Sequence, residues 1–216
     1  MFLFFLFHSL LLLFYKRDNT KAIKYTALGF SVLTFIVSLF LFFSFDSSNP
    51  DFQFRYDTIW ISQFDIGFRI GVDGMSLLLL MLTAFLSPIT IIASFGAIHK
   101  REKEYYVMIM LLEFAMVGVF ISLDLFLFYI FWEIILIPMY FIIGIWGGKD
   151  RIYAAVKFFI FTVVGSLFML VAIVWLGYYV GSTILHTPAG FTSDFILIRN
   201  TLFDNPIPFD IEKWMF

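Results

Sequence analysis

The sequence predicts an all-α polytopic membrane protein with about six transmembrane helices, and three observations predict it. Of its 216 residues, 62% are hydrophobic and 32 are Phe, more apolar surface than a soluble domain of this length can hide. The apolar residues fall in runs close to the roughly 20 residues that cross a hydrocarbon core of about 30 Å. The charged residues gather between those runs, so that residues 1–216 read as a single membrane domain.

The composition also excludes. A net charge of −2 without a basic patch argues against a nucleic-acid partner; membrane lipids are the expected surroundings. The chain has no Cys, which excludes thiolate-held iron–sulfur clusters and disulfides within it. His8, His99 and His186 lack metal-ligand spacing. The excess of Phe fits an AT-rich genome, because Phe codons are T-rich, and so leans towards an organelle.

The first predicted span is residues 1–15. It is apolar from its first residue and lacks the leading basic residues and small-residue cleavage site of a secretory signal. At 1.5 Å per residue it reaches only about 22 Å, so Lys16 and Arg17 are expected to snorkel. The second span is 27–45. A polar loop follows from Asp46 to Asp73, with five aspartates and two arginines. The third span, 74–98, opens behind Asp73, which is placed to cap its first amides, and contains Pro88, a predicted kink. A charged turn from His99 to Glu104 leads to the fourth and fifth spans, 107–122 and 124–146, joined by almost no loop. The sixth span, 152–180, carries Gly165-Ser166, a small pair suited to close helix contact. Residues 181–216 read as a polar loop on the outer side.

Basic residues orient the chain. Lys16, Arg17, Lys21 and Lys24, then Lys100, Arg101 and Lys103, then Lys149 and Arg151 follow the odd-numbered spans. The positive-inside rule therefore puts these loops in the cytoplasm or matrix and the N-terminus outside.

Three ionisable residues fall within spans: Glu113, Glu133 and Lys157. An ionised group at mid-bilayer costs at least roughly 2.5 kcal/mol and usually marks function. Glu133 sits near the middle of DLFLFYIFWEIILIPMYFIIGIWGG. Pro138, five residues on, cannot donate to the carbonyl of Ile134 and weakens the helix there. Glu113 lies ten residues before the turn at Leu123 and Glu133 ten after, so both are expected about 15 Å below one surface, on adjacent helices. Lys157 enters from the other side, roughly 10 Å nearer the inner surface than Glu133, within reach of a bridge of one or two waters. A carboxyl, a water file and an amine make a proton relay. The alternatives are a structural acid bonded to a neighbouring helix for either Glu, and a snorkelling Lys157. Asp73 and Asp124 read as helix caps, and the Trp residues as interfacial anchors or packing.

GVDGMSLLLLMLTAFLSP (71–88), LDLFLFYIFWEIILIPMYFIIGIWGG (123–148) and RIYAAVKFFIFTVVGSLFML (151–170) together resemble the antiporter-like membrane subunits of respiratory complex I, in their subunit-4 branch. The likeness is close over residues 70–180. It implies the N-terminal part of the antiporter-like fold, and a role in proton translocation within an NADH:ubiquinone oxidoreductase. It places NADH, FMN, iron–sulfur clusters and ubiquinone on other subunits, with no cofactor or metal on this chain. It implies the mitochondrial inner membrane, a bacterial plasma membrane being the alternative, with the N-terminus on the intermembrane-space side. The family's fifth-helix glutamate corresponds to Glu133 and its sixth-helix lysine to Lys157. Glu113 matches an acid found in only some members. The chain stops where the family's seventh helix should begin, before that helix's lysine and the later channel residues. A separate polypeptide carrying the second half, docked against spans five and six beside other membrane-arm subunits, is the expectation; a shortened sequence is its competitor. A cation/proton antiporter subunit and a non-pumping structural fragment are the other readings.

Overall fold

The computed structural model describes residues 19–208, with Leu12, Tyr15, Lys16 and Lys213; the predicted first span lies largely outside the described residues. Five described helices are long and apolar enough to cross a membrane: α1 (Thr20–Ser44), α2 (Gly74–Ser94), α3 (Glu102–Ile121), α4 (Leu125–Trp146) and α5 (Arg151–Tyr178). A short helix, α6 (Phe195–Asp204), follows a π turn at Tyr179–Ile184.

Local chemistry sets the ends. The Asn19 side chain accepts from the Ala22 amide, so α1 starts at Thr20, earlier than the apolar run suggests. Asp73 caps α2 in a reciprocal capping box with Ser76, as its position predicted. Glu102 and Glu104 occupy the first turn of α3, where negative charge complements the helix dipole, and they draw the helix start out of the charged turn. Both α2 and α4 run on through Pro88 and Pro138; each proline removes one helical hydrogen bond. α5 passes uninterrupted through Gly165-Ser166. Open space surrounds Gly165, whereas Ser166 is buried.

The polar loop expected between Asp46 and Asp73 holds an antiparallel hairpin, β1 (Gln53–Ile61) and β2 (Ile66–Val72). The count of aspartates masked the β-branched and aromatic residues between them, such as Tyr56, Thr58, Ile59 and Trp60, which favour a pleated chain. β1 is largely exposed and β2 largely buried, so β2 is the strand that lies on the bundle. The α3–α4 connector extends this edge: Leu123 donates to the Arg69 carbonyl (2.9 Å), and Phe195 donates to the Leu123 carbonyl (3.0 Å). A side chain at Gly71 would collide with Leu123, which is why the connector can approach β2 so closely.

α3 is the central helix and largely buried, whereas α5 is largely exposed. α3 packs on α1, α2 and α4, while α5 packs chiefly on α4. Two apolar clusters hold the bundle. One, at the hairpin end, includes Val72, Leu80, Phe114, Val117 and Phe131. The other, at the basic end, includes Ile23, Ala27, Ile91, Tyr106 and Met110. At Gly118 of α3 the Phe131 ring of α4 fills the space a side chain would need. Gly118→Val should therefore cost about 1–3 kcal/mol by overpacking, read as a lower thermal midpoint for the purified protein in detergent.

Candidate functional site

Glu133 is carried by α4, whose start is fixed by Asp124. That carboxylate accepts from the Phe126 and Leu127 amides (3.0 and 3.2 Å), satisfying two of the orphan donors of the first turn. Nine residues on, about 14 Å along the axis, Glu133 is half-buried. One of its oxygens is enclosed and has no hydrogen-bond partner among the described residues. Its polar neighbour is Tyr129, one turn earlier on the same face, whose hydroxyl also meets Ser166 of α5. Pro138, itself buried, leaves the Ile134 carbonyl without its helical donor. A free carbonyl thus sits on the residue next to the acid, the sort of local gap that waters or side chains fill inside membrane proteins.

Lys157 stands elsewhere. The positions of α5 turned to α4 are marked by buried Ala155, which abuts Gly144, and buried Ser166. Two residues past Ala155, Lys157 falls on the far side of the helix and is exposed. Its ammonium lies 5.7 Å from the centre of the Tyr153 ring. The groove holding it is lined by Tyr153, Val156, Ile160, Phe161 and Val164, all on α5, and Glu133 is not among its walls. Lys157 and Glu133 are therefore not brought together within this chain. Glu113, on α3, is 1% exposed and faces Ser87 of α2 and Thr34 of α1. The two acids, expected at one depth on adjacent helices, turn to different partners.

Sequence reasoning missed the most heavily bonded ionic group. Arg69 of β2 donates to the Asp124 carboxylate (2.9 Å) and to the Asp65 carboxylate and carbonyl (2.7 and 3.0 Å). Its Nε lies 3.3 Å from Asp57 and 3.5 Å from Asp194, in charge contact though outside hydrogen-bond geometry. Asp124 also accepts from the Gly67 amide and the Ser193 hydroxyl, and Thr192 donates to Asp65. Burial works against the charge on Arg69, but Asp65, Asp194 and Asp124 outweigh it and hold the guanidinium above its ordinary pKa. Read along the chain, Arg69 was one loop charge among others and Asp124 only a cap. The available signal was the single Arg among the acids of Asp57–Asp73.

The fold and these groups define a multi-pass helical membrane protein that encloses carboxyl groups within its bundle. Residues 1–119, more than half of the chain, match the family model for the amino terminus of NADH-ubiquinone oxidoreductase chain 4. Residues 122–200 match the transmembrane family described as NADH:quinone oxidoreductase/Mrp antiporter. The chain belongs to the NADH-ubiquinone oxidoreductase chain 4 family. It is 51% identical over 168 residues to NADH-quinone oxidoreductase subunit M of Rhodobacter capsulatus, covering 78% of this chain and 32% of that one. It is 43% identical over 176 residues to NADH-ubiquinone oxidoreductase chain 4 of Arabidopsis thaliana, covering 81% and 36%. Among solved structures it superposes on a chain of respiratory complex I from Thermus thermophilus with a TM-score of 0.74 and 25% identity, over 99% of this chain and 40% of that chain. The chain spans about a third of the length of the curated relatives it matches.

The ionic knot gives a graded test. Arg69→Met strands the buried Asp124 carboxylate and should cost about 3–5 kcal/mol. Asp57→Asn removes a half-exposed partner and should cost about 0–1 kcal/mol. Thermal unfolding in detergent reads both, and equal losses would contradict the ranking.

Proposed function

We propose that this chain is the N-terminal part of a proton-translocating, antiporter-like membrane subunit of an NADH–quinone oxidoreductase, and that Glu133 takes up and releases the proton. The observation that carries this reading is the unpartnered Glu133 oxygen inside α4. It sits beside a carbonyl freed by Pro138 and within reach of the Tyr129 hydroxyl. A carboxyl so placed changes protonation at a real energetic cost, and a nearby charge that comes and goes shifts its affinity for the proton.

The chain's own residues supply part of such a path. Tyr129 and Ser166 extend from Glu133 towards α5, and Lys157 waits on the outer face of that helix. A second polypeptide, carrying the remainder of the subunit and docked on the exposed side of α5, would bring Lys157 into the path and supply the cation that Glu133 lacks. NADH, FMN, iron–sulfur clusters and quinone belong to other subunits in this reading. The setting is the mitochondrial inner membrane or a bacterial plasma membrane, with the basic end of the bundle on the matrix or cytoplasmic side.

One observation favours a second reading: the family model for residues 122–200 spans Mrp antiporters as well as the oxidoreductases. A cation/proton antiporter subunit would move sodium without any dependence on NADH. In the preferred reading, Glu133→Gln leaves the complex assembled and lowers the protons moved per NADH in reconstituted vesicles. Unchanged stoichiometry would remove Glu133 from the path, and NADH-independent sodium uptake would favour the antiporter.

A further inference from the structure

Away from Glu133, the α1–α2–α3 interface encloses a second acid. Both oxygens of Glu113 are sealed from solvent and without a hydrogen-bond partner among the described residues, a costly state for any buried polar group. Two hydroxyls from two different helices converge on it, Thr34 from α1 and Ser87 from α2. Both are themselves buried.

The arrangement is short of hydrogens. Ser87 donates its hydroxyl hydrogen to the Thr83 carbonyl (3.0 Å), so towards Glu113 it can only accept. Pro88 has no amide hydrogen to give the Ala84 carbonyl, and Ala84 is fully buried on the same face of α2 as Ser87. Thr34 has a hydroxyl hydrogen to offer one carboxyl oxygen, which leaves the other carboxyl oxygen and the Ser87 oxygen as acceptors without a donor in one apolar interior. A proton on the carboxyl, or a water beside it, supplies what is missing. A hard divalent cation would need about six or more oxygens, more than converge here.

Open space beside the site reaches Ser87; Glu113 itself is not among its walls. A groove of about 240 Å³ between α2 and α3 is lined by Thr83, Ser87 and Thr90 among apolar side chains. Thr83 and Thr90 also spend their hydrogens on their own helix and offer the groove only lone pairs. Towards the basic end, the same interface holds the Ser94–Tyr106 hydrogen bond (3.0 Å) and is closed by the Lys24–Glu102 ion pair (3.0 Å). The titratable groups on the elements packed around Glu113 are Lys21, Lys24 and Tyr25 on α1, Glu102, Lys103, Glu104, Tyr105 and Tyr106 on α3 itself, and Tyr129, Glu133 and Tyr140 on α4; α2 contributes none.

We infer that Glu113, Thr34 and Ser87 form a second proton-holding site, separate from Glu133, whose carboxyl proton exchanges with water entering between α2 and α3. This deepens the proton-translocating reading and rests on it only for the direction of net transport.

Infrared difference spectroscopy of the intact membrane complex in H₂O and D₂O tests it. The expected result is a protonated-carboxyl stretch that shifts in D₂O, is lost in Glu113→Gln and persists in Glu133→Gln. Ser87→Ala, which removes the hydroxyl facing the carboxyl together with its bond to the Thr83 carbonyl, should move that band without deleting it, and serves if Glu113→Gln fails to assemble. A spectrum unchanged by both Glu113→Gln and Ser87→Ala overturns the site, as does a Glu113 band insensitive to D₂O. A band that follows sodium at constant pH overturns it in favour of a cation site. Loss of the Glu113 band with pumping still dependent on Glu133 sinks only this inference if that band never exchanges. An exchanging Glu113 band with pumping indifferent to Glu133→Gln sinks only the role given to Glu133.

Discussion

The pairing of Asp124 with Arg69 is the interaction on which the hairpin end of the molecule depends. One oxygen of Asp124 serves the helix it begins, accepting from Phe126 and Leu127. The other serves everything around it, taking the Gly67 amide, the Arg69 guanidinium and the Ser193 hydroxyl. A buried carboxylate is tolerable only when paired and hydrogen-bonded, and this one is saturated on both sides. A single side chain therefore ties β2, the α3–α4 connector and the segment before α6 to the first turn of α4. Because that turn is pinned, so is the depth of every residue further along α4, Glu133 included.

Much of this was legible in the sequence, and what was not shares a cause. Span content, the Asp73 cap and the abrupt α3–α4 turn follow from local rules: apolar run length, an acid before a run, and two runs joined by almost no loop. The hairpin and the ionic knot do not. Arg69 and Asp124 are 55 residues apart, and Thr192 and Asp65 are 127 apart; no local pattern announces such pairings. The facing of the acids was lost for a related reason. Counting residues from Leu123 gives depth, but direction around each helix depends on which neighbours it packs against. α3 packs on three helices, so Glu113 could have faced any of them.

The two prolines show how a helix in lipid acquires chemistry without breaking. Pro88 and Pro138 each interrupt one bond of a continuous helix, and each freed carbonyl lies within one turn of an acid or of a hydroxyl that faces one. A carbonyl exposed to lipid would be expensive. Both prolines sit where the bundle can offer something in return. Serine and threonine hydroxyls in α2 add to the same economy of acceptors, since most donate back to their own helix and present only oxygen outward.

The separation of Glu113 from Glu133 has an electrostatic logic of its own. Two carboxylates sharing one low-dielectric pocket repel strongly, since unit charges 4 Å apart interact by about 4 kcal/mol even at an effective dielectric of 20. Such a pair titrates as one coupled unit, and neither member can respond alone. Here the interface between α3 and α4 is filled by the Phe114 and Phe131 rings, 5.7 Å apart and edge to face, with Phe131 seated on Gly118. Glu113 is turned to α1 and α2, while Glu133 and Tyr129 are turned towards α5. An apolar wall between the acids gives each its own surroundings: Glu113 the hydroxyls of α1 and α2, and Glu133 the Tyr129 hydroxyl on the side of α5.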